Sequence, residues 1–189
     1  GVLRVEPFRA TAVTLKHGTT LAHFSVEDGV LVGYDKKGKV YDDVALLQSR
    51  WSFNAATTMP AGMRLAERVD VDGWPHYRFT EEWQGEDTCV SEGGPVYARL
   101  LSGFTLDELT GAVTSLADNT YVACTNGATG KAATWGFYDL AVGEGDWEIF
   151  EVAIRMIRAD YCYDGVSFTH AGVSLAYEDR WHAGAPSES

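Results

Sequence analysis

The chain has 189 residues, enough to bury one well-packed core, and nothing in its composition marks a second domain. Acidic residues outnumber basic ones by 27 to 15, which gives a formal net charge of -12. This balance argues against a nucleic-acid partner or an anionic membrane surface, because no excess of basic residues can displace counterions from phosphate. No apolar run approaches the ~18 residues that span a bilayer, so no membrane span is predicted.

Most of the chain has the pattern of short strands separated by turns. Asp28-Gly29 and Asp72-Gly73 each separate two alternating segments, which is a strong short-range hairpin signal. Residues 44–53 fit either a long strand or a short helix, and residues 81–95 read as a polar loop that holds Cys89. The pattern predicts strands over 9–15, 21–26, 30–34, 64–71, 76–83, 96–101, 121–124 and 132–140.

One amphipathic helix is predicted near 147–160, with Asp146 as its N-cap. Its charged side chains lie three or four residues apart and share one stripe, which we expect to face water: Glu148, Glu151, Arg155 and Arg158. The opposite apolar face would pack on the strands. Residues 166–177 then have the pattern of a short-looped hairpin.

These elements predict the fold class and the domain organisation. Frequent turns between short strands favour a mainly β fold, a sandwich or barrel of short antiparallel strands, with one packed α-helix near 147–160. We predict a single β-rich domain over 1–177. Residues 178–189 are expected to form a loosely ordered tail, because they are rich in Gly, Pro and Ser.

A candidate catalytic site lies where the predicted helix meets the predicted hairpin. A thiolate nucleophile needs a nearby base, and that base needs an orienting partner, so Cys162 with His170 and either Asp160 or Asp164 would suit a thiol hydrolase or acyl transferase. The negative end of the helix points at Cys162, however, and disfavours a thiolate. Asp160 and Asp164 also fit a structural role, in which they bond the amides of the turn.

A second candidate site is aromatic. Trp74, Tyr77 and Trp83 lie beside polar segments, and such side chains on a β scaffold can stack on a small molecule, a glycan or a peptide. Core packing is the competing explanation. No cofactor or metal is expected, because the chain has no dinucleotide or Walker-type loop and no zinc pattern. Asp70-Val71-Asp72-Gly73 begins like a calcium loop, but the later oxygen ligands are missing.

The segment RMIRADYC over 155–162, followed by Asp164-Gly165 and then Ser167-Phe168-Thr169, resembles the signature of the ADYC domain, a bacterial family of exported proteins. Weaker similarity extends the resemblance over roughly 73–172. It implies an uncharacterised domain that is secreted, periplasmic or on the cell surface. Because disulfides form in such compartments, we pair Cys89 with Cys124 and leave Cys162 free. A Cys124–Cys162 bridge remains the alternative.

Two functions therefore stay open. A non-catalytic binding or surface-assembly module predicts that Cys162 is buried or bridged and that an aromatic patch is exposed. A small enzyme predicts an exposed Cys162 thiol with the His170 ring within hydrogen-bond reach.

Overall fold

A computed structural model describes residues 10–27, 29–53, 62–89, 93–107, 110–160, 162 and 166–167. The strands of this part of the chain are β1 (Ala10–Thr14), β2 (His23–Glu27), β3 (Val30–Tyr34), β4 (Val40–Tyr41), β5 (Arg50–Phe53), β6 (Gly62–Val71), β7 (Trp74–Glu81), β8 (Ala98–Leu106) and β9 (Val113–Cys124). The helices are α1 (Ala128–Thr134), α2 (Phe137–Glu144) and α3 (Trp147–Arg158). The predicted mainly β fold is confirmed.

Six strands form one antiparallel sheet in the order β1-β5-β6-β7-β8-β9. The sheet is open, as in the sandwich alternative, with β1 and β9 at its edges among the described strands. Its central hairpin joins β6 to β7 through Asp72 and Gly73, whose φ angles are 51° and 84°. Positive φ at both positions is the type I′ geometry that matches the twist of paired strands. The predicted Asp-Gly hairpin is therefore confirmed.

A second, three-stranded sheet in the order β2-β3-β4 covers one face of the large sheet. Leu31 from the small sheet and Leu65, Tyr77 and Leu100 from the large sheet belong to one buried apolar cluster, which we call the small-sheet core. Alternation along the strands sends the side chains of Leu65, Tyr77 and Leu100 to the same face of the large sheet. The two sheets are therefore held together by apolar burial.

The three helices cover the opposite face of β8 and β9. Leu101 and Phe104 of β8, Tyr121 of β9 and Phe150 of α3 lie in a second buried cluster, the helix-side core. Gly103, with φ 88°, lies at a register shift between β8 and β9. Because of this irregularity Phe104 shares a face with Leu101 although it is three residues away. Strand β8 and the last four residues of β9, 121–124, are thus buried on both faces.

The strand predicted over 132–140 is wrong, because these residues belong to α1 and α2. Ala132 and Ala133 have the highest helix propensity, but the alternation of aromatic and small residues after them resembled a strand. Gly136, with φ 89°, separates the two helices. Gly130 of α1 lies so close to the carbonyl of Cys124 that a Cβ there would overlap it. The close approach seats α1 on the end of β9.

Helix α3 begins and ends as predicted, but its charged stripe does not all face water. The Asp146 carboxylate accepts a hydrogen bond from the Glu148 N–H at 3.0 Å, so the predicted N-cap is confirmed. Arg155 is only 5% exposed. Gly111, which lies between β8 and β9, packs against the Arg155 side chain. The predicted hairpin, apart from 166–167, and the predicted tail lie outside the described residues.

Candidate functional site

The Ala-Asp half of the ADYC tetrapeptide terminates α3. The Ala159 N–H donates to the Met156 carbonyl at 3.0 Å, and the Asp160 N–H donates to the Arg155 carbonyl at 2.9 Å. These two bonds form a Schellman motif, which satisfies the last carbonyls of a helix. Ala159 has φ 55° and ψ 31°, a left-handed conformation that costs an alanine about 1–2 kcal/mol. Tertiary contacts must therefore hold this residue in place.

Those contacts include a buried charge network around Arg155. Its Nε and Nη2 donate to Glu151 Oε1 at 3.1 and 2.9 Å, and its Nη1 lies 3.5 Å from Asp160 Oδ2. Glu151 Oε2 in turn accepts a hydrogen bond from the Val113 N–H at 2.7 Å. Buried charges need such compensation, because each loses its hydration on folding. Asp160 is thus engaged in an ion pair that ties the helix end together.

Cys162 is exposed and is a free cysteine. The expectation of a buried or bridged Cys162, which belonged to the non-catalytic hypothesis, is therefore wrong. Its exposure is instead what the enzyme hypothesis expected. The other proposed members of the constellation, Asp164 and His170, lie outside the described residues. The catalytic arrangement accordingly stays a prediction.

The other two cysteines form the predicted disulfide. Cys89 and Cys124 are joined with a Cα–Cα distance of 5.5 Å, and both side chains are buried in the small-sheet core. The alternative bridge between Cys124 and Cys162 is wrong. The bond fixes the segment that follows β7 to the end of β9.

Trp83 occupies the tip of the hairpin that continues β7. The Glu81 N–H donates to the Glu86 carbonyl at 2.7 Å, the Gly85 N–H donates to the Glu81 carbonyl at 3.1 Å, and Thr80 pairs with Asp87. These bonds close a four-residue turn over 82–85, just before the disulfide at Cys89. The Trp83 side chain is 80% exposed. The hairpin therefore holds a large aromatic ring in water on an ordered turn.

Trp74 and Tyr77 have different surroundings. Tyr77 is fully buried, with 0% exposure, so its ring is in the small-sheet core. Trp74 is 38% exposed, but its ring packs against Gly29 and lies 4.7 Å from the guanidinium of Arg99. Arg99 is itself buried and donates to the Ala133 carbonyl of α1. Trp74 therefore covers a joint between the sheets and the helices.

The structure does not bring the three aromatic residues together. Trp74 begins β7 and Trp83 follows its end, and a strand of eight residues spans roughly 25 Å. A single platform from both indoles is too wide for one small ligand. Trp83 alone presents most of its surface to solvent.

A buried polar network joins the two sheets at Tyr77. Its hydroxyl donates to Asp43 Oδ2 at 3.1 Å and accepts from the Leu31 N–H at 3.0 Å. Asp43 also accepts from Arg68 Nε at 2.7 Å. Burial raises the pKa of Tyr77 far above its ordinary value, and the adjacent Asp43 carboxylate adds to that shift. Hydrogen bonds from Arg68 to Asp70 and Asp43 raise the pKa of Arg68.

Sequence reasoning missed both Asp43 and Arg99. Arg99 had a signal, because it interrupts the apolar run of β8 and a buried arginine needs partners. Asp43 had none, since its partners are 25 and 34 residues away along the chain.

Within the described ranges, no group of three or more His, Cys, Asp or Glu side chains is placed to hold a metal ion. Likewise, no helix of this part of the chain is long and apolar enough to cross a membrane.

The open sheet, its helical layer and its buried disulfide define a small β-rich domain. The family model of the ADYC domain matches residues 43–189, which is more than half of the chain. The chain therefore belongs to the ADYC domain family, as the tetrapeptide at 159–162 suggested. No curated protein and no solved structure matches the chain. The match begins after β4, so the small sheet precedes it.

Proposed function

We propose that this protein is an exported, non-catalytic binding module that engages its partner through Trp83. The observation that carries the proposal is the 80% exposure of Trp83 on a turn closed by backbone hydrogen bonds. A large ring kept in water loses favourable burial, and covering it would supply about 3–5 kcal/mol of gross driving force. Because the turn is already ordered, little conformational entropy is lost on binding.

The disulfide supports the export part of the proposal. Buried disulfides persist in oxidising compartments and are rare in the cytosol. Cys89 and Cys124 are both buried, which protects their bond from reduction by exchange.

Binding is tested by calorimetric titration with two probes, a neutral glucan oligosaccharide and a basic peptide of alternating lysine and glycine. We expect the native protein to bind at least one of them, and Trp83→Ala to weaken that binding at least fivefold. Leu116→Ala is the matched control, because Leu116 is an exposed apolar side chain on another strand. Failure of both probes to bind, or binding that Trp83→Ala leaves unchanged, overturns the proposal.

Export is tested on protein taken from its native host with thiols trapped before lysis. Mass spectrometry should find Cys89 bridged to Cys124 and Cys162 alkylated, in the secreted or envelope fraction. Reduced Cys89 and Cys124 in the cytosolic fraction would contradict export.

The enzyme hypothesis remains the second candidate, because Cys162 is exposed and unpaired. A catalytic thiol is held as a thiolate, so it reacts with iodoacetamide at pH 6 much faster than free cysteine does. We expect Cys162 to react no faster than free cysteine, because it follows the negative end of α3. A single fast-reacting thiol that disappears in Cys162→Ala would favour the enzyme instead.

A further inference from the structure

The Trp83 hairpin lies in a strongly acidic part of the chain. Residues 79–98 contain five carboxylates and no lysine or arginine. Two of these carboxylates are compensated by cations from neighbouring strands. Glu82 pairs with Arg50, and Asp87 accepts from Arg78 Nε at 2.6 Å.

Glu81 and Glu86 are not compensated in this way. Neither carboxylate has an ion-pair partner among the residues that the structure describes. Thr80 pairs with Asp87, and the Glu81 N–H donates to the Glu86 carbonyl, so the register sets Glu81 directly opposite Glu86. Directly opposite residues have Cβ atoms about 4.5–5.5 Å apart, and like charges at such positions destabilise a hairpin. A cation between them would relieve this repulsion.

The aromatic ring and the carboxylates have the same ligand preference. The turn that connects Glu81 to Glu86 carries Trp83, and an indole face attracts ammonium and guanidinium groups. The net charge of -12 also draws cationic partners towards the molecule. A neutral glycan could stack on Trp83 but would leave the repulsion between the two carboxylates in place.

We infer that the hairpin over 81–86 binds a basic peptide segment of a partner protein, taking a lysine or arginine side chain on Trp83 between Glu81 and Glu86. This inference rests on the proposed function, because it names the partner class for the same surface. Its recognition elements are a cation–π contact and two charge-assisted hydrogen bonds.

The test is a calorimetric titration with the alternating lysine–glycine peptide and its lysine-acetylated form. We expect the unmodified peptide to bind and the acetylated one to bind at least tenfold more weakly, because acetylation removes the charge. Trp83→Ala should weaken binding about 5- to 30-fold. The double variant Glu81→Gln/Glu86→Gln should weaken it about 3- to 10-fold and reduce its salt dependence.

Glu144→Gln/Glu148→Gln is the matched control, since it removes two exposed carboxylates from the helical layer. An equal loss in this control would show general attraction to an acidic protein and would overturn the inference. Glucan binding that depends on Trp83 but not on Glu81 and Glu86 would also overturn it, while the proposed function stands. If neither probe binds, both proposals fail. Circular dichroism of each variant verifies that the fold is retained.

Discussion

The two faces of the large sheet are stabilised by different means. On the small-sheet side, a disulfide and the Tyr77–Asp43–Arg68 network supplement apolar packing. On the helix side, an aromatic cluster around Phe104 fills the space between β8, β9 and the helices. The small-sheet core is well filled by apolar side chains, and the disulfide and the polar network add covalent and hydrogen-bonded links to that burial. On the helix side, α3 buries its apolar face, and the polar links there are the ion pairs of Arg155 with Glu151 and Asp160.

The two sides of the large sheet also carry different candidate sites. Trp83 lies just before the cysteine that anchors the small-sheet side, and Cys162 lies just after the helix that forms the other side. Each is exposed at the end of an ordered element, outside both cores. A substitution within one core should therefore lower the free energy of unfolding without altering the candidate site on the opposite side.

The largest effect is expected on the helix side. Phe104→Ala should lower the free energy of unfolding by about 3–5 kcal/mol, because it opens a cavity among rings that are too constrained to fill it. Denaturant titration measures the change. Leu116→Ala, on the exposed part of β9, should change stability by less than about 1 kcal/mol. A Phe104→Ala effect as small as this control would show that the aromatic cluster is loosely packed.

Removal of the disulfide tests the small-sheet side. The bond closes a loop between residues 35 apart. The double variant Cys89→Ala/Cys124→Ala should lower the free energy of unfolding by about 2–4 kcal/mol, because the unfolded chain is no longer restricted by the bond. Thermal unfolding with and without reductant provides the measurement. A variant as stable as the native protein would mean that packing alone holds this side.

Tyr77→Phe should lower the free energy of unfolding by about 1–3 kcal/mol, since it removes the buried hydroxyl that donates to Asp43 and accepts from the Leu31 N–H, while Asp43 keeps its bond from Arg68. The variant should also change the pH dependence. The raised pKa of Tyr77 means that the folded state keeps its proton after the unfolded state has lost it. The stability that the protonated Tyr77 hydroxyl contributes is fully present below about pH 10 and is lost as the pH rises further. The free energy of unfolding, measured from pH 8 to 11, should fall less steeply with pH in Tyr77→Phe than in the native protein. An unchanged slope would contradict the assignment.

The smallest effect is expected at the helix end. Ala159→Gly removes left-handed strain but also loses a buried methyl group and loosens the unfolded chain, so stability should remain within about 1 kcal/mol of the native value. Ala159→Val keeps the strain and adds bulk at a buried position, and should be clearly destabilising. Equal effects of both changes would show that backbone conformation does not govern this position.

Local signals in the sequence determined the β6–β7 hairpin, the start of α3 at Asp146 and the β-rich class of the domain. Each depends on residues a few positions apart, whose preferences act before the chain is compact. Only the tertiary structure decided that Arg155 is buried and that the Tyr77 hydroxyl bonds to Asp43 and to the Leu31 N–H. These outcomes depend on groups brought together from up to 46 residues away, where burial and charge compensation override local propensity. The separation of Trp74 from Trp83 likewise follows from the eight-residue length of β7, which lies between them.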